Sequence, residues 1–338
     1  MRNAKLFVKG SIAVLLVLLL GTVAARADGA AQSTNAPPAV VSTNAPTAAV
    51  IEKTEEPAAK GPPLPVHTTE GYGGGAITPT AYLVNPGPKG QVFGLPSISG
   101  TFVGIGQGKN VETFAITETL FQRVELGYGA SRFGIGDVKD DIKKATGVSV
   151  RDDVWLHNFN LRGLIVDENS GNQPWVPAIT AGFHYKINDG IDEINKSLGG
   201  AFKNIGMTHT DGYDFTLTAS KTIAKVFGRP LIISAGGRNS SAAWEGYLGF
   251  GDKRSFTFEG NVIYVPLDWL AIGYEYRGKT DPYSQIPGLV EGENDLQTVD
   301  VVFMPNKRLS IALVYGAFGK VLNHNDNAVG AVQVKWLF

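Results

Sequence analysis

The sequence has no cysteine and few charged residues, and both absences limit what the chain can be. Without cysteine, its 338 residues contain no thiolate metal site, no cysteine nucleophile and no disulfide framework. Charged residues make up 18% of the chain, against about 25% in typical soluble domains. Because the formal net charge is only -1, no basic field predicts binding to nucleic acid.

Long apolar runs are also absent beyond the N-terminus. No run after Ala27 approaches the roughly 18 apolar residues that indicate a membrane-spanning helix, although the mean hydropathy is -0.00. Strands that alternate apolar and polar residues produce this combination, because each strand contributes one face of each kind. The 42 glycines further disfavour long helices.

The first 69 residues divide into two predicted segments. Residues 1–27 predict a cleaved secretory signal peptide, with basic residues at Arg2, Lys5 and Lys9, an apolar stretch over 11–20 and an A-x-A site at 25–27. An uncleaved anchor is the alternative, which the short apolar stretch disfavours. Residues 28–69 are rich in Ala, Pro and Thr and contain STNAP twice. This composition predicts a disordered periplasmic linker.

From Glu70 onward the hydrophobic period is two. The segment Leu270–Arg277, for example, alternates Leu, Ile, Tyr and Tyr with Ala, Gly, Glu and Arg. Successive side chains of a strand point to opposite faces, so this pattern indicates strands. Residues 70–338 are predicted to form about twelve of them, near Ser97–Gly104, Val111–Leu120, Val124–Phe133, Val154–Val166, Trp175–Ile187, Gly212–Thr222, Pro230–Arg238, Ser255–Val265, Trp269–Arg277, Leu296–Met304, Leu309–Phe318 and Ala328–Phe338. The glycine-rich residues 71–76 are predicted to be a flexible entry into the first strand.

Alternation alone also fits a soluble β-sandwich, but three features favour a membrane barrel. Predicted strands of about nine to eleven residues match a tilted bilayer crossing better than typical soluble strands. Large aromatics lie near strand ends, as in interfacial girdles. Short and long connections alternate, so that every short turn falls at the end carrying both termini. The predicted fold class is therefore an all-β, antiparallel, up-and-down transmembrane β-barrel of the outer membrane.

The chain ends within a strand. Val334, Trp336 and Phe338 extend one apolar face to the last residue. This ending resembles that of outer-membrane barrels, and the resemblance implies that the terminal strand is the signal read by the barrel-assembly machinery.

A family resemblance covers residues 70–338. It is carried by stretches such as EGYGGGAITPTAYLVNP (70–86), RVELGYGASRF (123–133), VPAITAGFHYKIND (176–189), GYDFTLTASKTI (212–223), GYLGFGDKRSFTFEGNVIY (246–264), LAIGYEYRGKTD (270–281) and FMPNKRLSIALVYGAFG (303–319). These stretches resemble the Gram-negative family known as domain of unknown function 3034. The resemblance implies an outer-membrane barrel with no assigned activity and adds no catalytic residue.

With the apolar faces toward lipid, parity predicts which side chains line the lumen. The candidates are Glu125, Arg162, His184, Lys186, Arg238, Glu259, Glu275, Arg277 and Asp300. The interior of a barrel of about twelve strands is too wide for side chains alone to fill, yet narrower than the open channel of a porin with about 16–18 strands. One interpretation is that the mixed charges pair in a structural network that fixes strand register and plugs the interior. The other is a lining that selects small polar solutes.

The leading functional hypothesis is a narrow passive channel or a structural envelope protein in the outer membrane. Its expected partners are membrane lipid, the assembly machinery and small polar solutes, and no cofactor or metal is predicted. A lipid-active enzyme is one alternative, but no histidine-to-serine spacing resembles the phospholipase motif, so we predict no enzymatic activity. The other alternative is an accessory to secretion or surface assembly, whose linker binds a periplasmic partner.

Overall fold

The computed structural model describes residues 64–285, 291–322 and 324–338. The predicted signal peptide and residues 28–63 of the predicted linker lie outside the described residues. Within the described ranges, no helix is long and apolar enough to cross a bilayer.

Twelve antiparallel strands form one closed barrel, which confirms the predicted fold class. Each strand pairs with its neighbours in sequence, and the last pairs with the first through a register that joins Leu337 to Ser97. The strands are Ser97–Gly104 (β1), Asn110–Leu120 (β2), Val124–Gly134 (β3), Asp153–Val166 (β4), Ala178–Asp189 (β5), Asp211–Val226 (β6), Arg229–Ala242 (β7), Phe250–Leu267 (β8), Leu270–Arg277 (β9), Leu296–Phe303 (β10), Leu309–Ala317 (β11) and Val329–Leu337 (β12).

The twelve predicted strands correspond one to one to these, but three exceed their predicted lengths by at least five residues. β6, β7 and β8 have 16, 14 and 18 residues. The prediction ended each strand where the apolar alternation ended. The ladder between β7 and β8 nevertheless continues to Ser240 opposite Ser255 and, past a bulge, to Ala242 opposite Phe250. Backbone pairing thus extends beyond the part of the strand whose side chains carry the pattern.

The two ends of the barrel differ. At the short-turn end, β2 and β3 are joined by a turn in which Phe121 and Gln122 have φ of 51° and 60°. The long-loop end carries three helices, Val138–Thr146 (α1), Ile191–Ser197 (α2) and Ala201–Asn204 (α3), and the short strand Met207–His209, which pairs with the start of β8. Loop residues pack there against Phe133, Trp244 and Phe250 in an apolar cluster.

The barrel is apolar outside and polar inside. Phe159 and Leu161 of β4 and Phe215 and Leu217 of β6 are among the exposed outward residues, whereas the inward positions carry mainly Ser, Thr, Asn and charged residues. Water-soluble barrels bury their apolar face, so the reversed arrangement matches a lipid surround. Val334 and Trp336 lie on the outward face of the last strand, as the alternation predicts, and Phe338, one residue past the end of this strand, is exposed.

We expect Leu161→Arg, near the middle of β4, to destabilise the folded barrel in lipid by about 2–4 kcal/mol, because arginine would enter hydrocarbon. Ser149→Arg, in an exposed loop, is the control and should change the unfolding free energy little. Urea titration of both variants in liposomes measures the difference. An unaffected Leu161→Arg barrel would mean that this face does not contact lipid.

Candidate functional site in the barrel interior

The nine residues predicted to line the lumen all lie inside the barrel. Each is at most 5% exposed: Glu125, Arg162, His184, Lys186, Arg238, Glu259, Glu275, Arg277 and Asp300. In a water-filled channel, inward side chains would be accessible to solvent. Something therefore covers the wall along its length.

The covering segment is residues 64–85 of the chain itself, which we call the plug. It enters at the short-turn end, where Lys335 of β12 donates a hydrogen bond to the Pro65 carbonyl. It turns back through residues 68–76, with Val66–His67 paired to Gly73–Gly74, and returns to the short-turn end, where Tyr82 contacts Glu168. Residues 86–96 then lead to β1.

The plug corrects two predictions. Residues 64–69 were assigned to the disordered linker, but Val66, His67 and Thr68 are at most 3% exposed, so the predicted boundary at 69/70 lies too late. The glycine-rich residues 71–76 were predicted to be a flexible entry into the first strand. They instead lie inside the barrel, where Gly71 (φ 85°) packs so closely on the Gly129 backbone that a Cβ would lie 2.9 Å from its Cα. Glycine permits both the positive φ and the close approach.

The inward end of the plug presents one carboxylate, that of Glu70, to three wall cations. Arg238 Nη2 lies 3.1 Å and Arg277 Nη1 2.9 Å from its Oε2, and Lys186 contacts Oε1. Tyr72 of the plug also donates its hydroxyl hydrogen to Oε2 at 2.5 Å. All of these side chains are at most 3% exposed, so their attraction is weakly screened by water.

Glu125 and Arg162 hold the two arms of the plug together. The Glu125 carboxylate accepts the Gly73 N–H at 3.0 Å and the Val84 N–H at 2.7 Å. Arg162 donates to the Gly73 carbonyl at 2.7 Å and to the Thr80 carbonyl, and it pairs with Glu125 at 3.0 Å. The ion pair therefore supplies hydrogen-bond partners to backbone groups of the plug, whose own two-stranded sheet is only two residues long.

Glu275 caps the turn of the plug. Its carboxylate accepts the N–H groups of Ala76 at 2.5 Å and Thr78 at 2.7 Å and the Thr78 hydroxyl at 2.5 Å. Asp300, by contrast, accepts from the Thr298 hydroxyl at 3.4 Å and lines a cavity of about 20 Å³ beside Leu64. That volume holds roughly one water molecule.

Two histidines also face the interior. His184, a predicted lumen residue, lies between Asn160 Oδ1 at 2.8 Å and Thr216 Oγ1 at 2.9 Å. His67, placed in the linker by the sequence analysis, contacts the hydroxyls of Ser97, Ser99 and Thr117 at 2.8–3.0 Å. Neutral hydroxyl and amide partners of this kind suit neutral imidazoles with a structural role.

A second element closes the long-loop end. Residues 243–249, which we call the lid, join β7 to β8, and Trp244 packs 4.4 Å from Phe133 between ring centroids. Lys186 donates to the Glu245 carbonyl at 3.1 Å, and Arg277 contacts the Glu245 carboxylate. The lid and the plug thus share two wall cations, Lys186 and Arg277.

Two residues of the loop after β9, Lys279 and Glu293, lie beside the lid residue Glu245 or beside each other. Lys279 lies 3.0 Å from Glu245 and 3.7 Å from Glu293. Burial would raise the pKa of Glu245, but Arg277 and Lys279 bring this pKa below its ordinary value. Burial raises the pKa of Glu293 to about 8, because the nearby Lys279 lowers this pKa by less than burial raises it. Glu293 is therefore largely protonated at neutral pH.

We expect the long-loop end to lose stability as the pH rises from about 4.5 to about 8, because the folded state binds the Glu293 proton more tightly than the unfolded chain does. Glu293→Gln should abolish this dependence, matching wild type at pH 4 and exceeding it at pH 9. Amide exchange of residues 278–285 measures the effect. Equal pH profiles for the two proteins would exclude Glu293 as its source.

Metal ligation finds no support in the described ranges, where no group of three or more His, Asp or Glu side chains could hold an ion. The remaining loop histidines pair elsewhere. His209 lies 2.9 Å from Asp252, and His324 lies 3.2 Å from Lys109 Nζ and 3.4 Å from Asp141.

The plug residues Glu70, Tyr72 and His67 were not predicted from the sequence. One feature of the sequence indicated that a further segment occupies the interior. Nine inward polar and charged residues cannot fill a barrel of this width by themselves, and they need partners when they are buried. Nothing in the sequence indicated which segment supplies them.

Several outer-membrane proteins of solved structure are similar to this barrel. The KdgM porin has 13% identity and a TM-score of 0.45, with 72% of this chain and 99% of that chain covered. The NanC porin has 7% identity and a TM-score of 0.43 over 72% and 98%, and Omp33 of Acinetobacter baumannii has 7% and 0.40 over 74% and 100%. No curated protein matches the chain. A family model described as protein of unknown function (DUF3034) matches residues 65–332, and the chain therefore belongs to this family.

Proposed function

We propose that this protein is an outer-membrane barrel whose interior is closed by its own plug. In this resting state it is a sealed envelope protein, and it becomes a narrow channel for small polar solutes only when the plug moves. The single observation that carries the proposal is the burial of all nine predicted lumen residues beneath the plug, at 5% exposure or less.

The outer-membrane location is supported by three features. The outward surface is apolar, with Phe159, Leu161, Phe215 and Leu217 among its exposed residues. The turns are short at the end that carries Phe338 and long at the other, as in outer-membrane barrels. The N-terminal 27 residues fit a secretory signal. We place the short-turn end in the periplasm and propose that Val334, Trp336 and Phe338 serve as the assembly signal.

The polar character of the interior supports the solute class. With the plug displaced, the wall would present charged and hydroxyl side chains of both signs, which favours small polar solutes over apolar ones. The plug makes this role conditional, because its contacts run from Lys335 at the short-turn end to Arg238 and Arg277 near the long-loop end.

The proposed role is non-catalytic. The buried imidazole of His184 has amide and hydroxyl partners, and His209, which ends the short strand Met207–His209, is exposed and pairs with Asp252. A lipase assay of the purified barrel, with His184, His209 and His324 each changed to Ala, tests the enzyme alternative. Lipid hydrolysis that one of these changes abolishes would contradict a non-catalytic role.

Planar bilayers test the closed state. Wild-type protein, purified from outer-membrane fractions and reconstituted, should insert without discrete, stable conductance steps at moderate voltage. Heat-modifiable migration on gels serves as the control for folding. Stable steps from folded wild-type protein would contradict closure by the plug, and recovery of the protein from the inner membrane would contradict the location.

A further inference from the structure

Three wall cations, Lys186, Arg238 and Arg277, converge on the carboxylate of Glu70. They also contact three acids outside the plug, Asp214, Glu245 and Glu259. Glu70 is the one acid of this cluster that belongs to the plug, so displacement of the plug leaves three buried cations without one of their carboxylate partners.

Two wall acids, Asp214 and Glu259, contact the same cations as Glu70 and hold them in position without the plug. Asp214 Oδ2 lies 2.8 Å from both Lys186 Nζ and Arg238 Nη1. Glu259 Oε2 lies 3.2 Å from Arg238 Nε and 3.8 Å from Arg277 Nε. Removing Glu70 therefore leaves donors that remain oriented toward the position of its carboxylate, as in a preorganised anion site.

We infer that this position is a carboxylate-binding site of the open barrel, which Glu70 occupies in the closed one. The inference rests on the proposed function, since a solute reaches the site only when the plug moves. Solutes bearing a carboxylate would compete with Glu70 for Arg238, Arg277 and Lys186. The open barrel would accordingly pass anions in preference to cations.

The donors suit a planar carboxylate. Two guanidinium groups and one ammonium group converge on the two oxygens of Glu70, and guanidinium forks match carboxylate geometry. Phosphate offers related chemistry, so the test includes it as a separate probe. Chloride lacks the second oxygen and serves as the reference anion.

Chemical rescue tests the site without requiring conduction. Glu70→Ala removes the carboxylate and leaves room for acetate. At equal ionic strength, acetate should raise the unfolding temperature of Glu70→Ala above its value in chloride by roughly 3 °C at about ten times its Kd, and it should leave wild type unchanged. If Glu70→Ala folds only in acetate, the refolding yield replaces the temperature as the readout.

The arms of this experiment separate the alternatives. Adding Arg238→Gln to Glu70→Ala should abolish the acetate effect, whereas Lys225→Gln, an exposed change near the β6–β7 turn, should preserve it. Greater rescue by phosphate than by acetate would overturn the carboxylate assignment. Equal unfolding temperatures of Glu70→Ala in acetate and in chloride would overturn the proposed anion site altogether.

Ion selectivity gives the second readout. Glu70→Gln, once it conducts, should have a reversal potential in a KCl gradient that favours chloride over potassium, and Glu70→Gln with Arg238→Gln should lose this preference. Conduction without anion preference would overturn the inference and leave closure by the plug intact. Absence of any conduction would instead count against the proposed function, while acetate rescue would still decide the site.

Discussion

Glu70→Gln should convert a silent barrel into a conducting one. The substitution keeps the shape of the side chain but removes the charge that faces Lys186, Arg238 and Arg277. Breaking a buried ionic contact from one side costs about 3–5 kcal/mol, because the opposing charges remain buried. Because these contacts join the plug to the wall, the lost free energy destabilises the closed state relative to the state with a displaced plug. Planar bilayers should therefore record discrete conductance steps that wild type lacks.

Asp268→Asn is the matched control for this experiment. It is also an acid-to-amide change, and its partner Arg229 lies 2.9 Å away at the barrel surface, where Asp268 is 94% exposed. The pair is exposed to solvent and should contribute little to stability. Conductance from Asp268→Asn equal to that of Glu70→Gln would show that the steps come from general loosening of the barrel.

Arg162→Met should destabilise the folded barrel by about 3–5 kcal/mol. Arg162 is 1% exposed, and its removal leaves the Glu125 carboxylate without its ion pair and the carbonyls of Gly73 and Thr80 without a donor. Urea unfolding in liposomes measures the change. Arg229→Met, from the exposed pair with Asp268, should cost less than about 1 kcal/mol.

A double variant separates the charge from the packing. Glu125→Gln combined with Arg162→Met removes both charges, so the unfolding free energy should recover partly from that of Arg162→Met alone. A double variant that is as unstable as the sum of the two single ones would show that the two side chains act independently of each other.

The strand period made most of the barrel predictable. Alternation assigns each residue of a strand to one of two faces, so Glu125, Arg162 and Glu275 could be placed inside from their position relative to apolar neighbours such as Leu126, Leu161 and Tyr274. The same rule placed Trp336 outside. Strand ends were less predictable, because β8 continues to Phe250 through residues that do not alternate and are held by backbone pairing.

The plug was not predictable from local pattern. Its backbone makes few regular pairs, and its hydrogen bonds go to side chains far along the chain. Gln333, for instance, accepts from the N–H of His67 and donates to its carbonyl, 266 positions away. Residues 71–75, Gly-Tyr-Gly-Gly-Gly, resemble a flexible turn locally, and only the surrounding wall gives them a fixed conformation. Sequence reasoning therefore identified the wall side of each contact and missed the plug side.

The central claim is that residues 64–85 close the barrel, and a reversible covalent lock tests it most directly. The chain has no cysteine, so Ala81→Cys and Ser220→Cys can be introduced alone, at a place where Ser220 Oγ lies 2.7 Å from the Ala81 backbone nitrogen. In a Glu70→Gln background, the oxidised protein should be silent in a planar bilayer, and adding reductant to the same membrane should produce conductance steps. Steps of undiminished size and frequency from the fully oxidised protein would contradict closure by the plug.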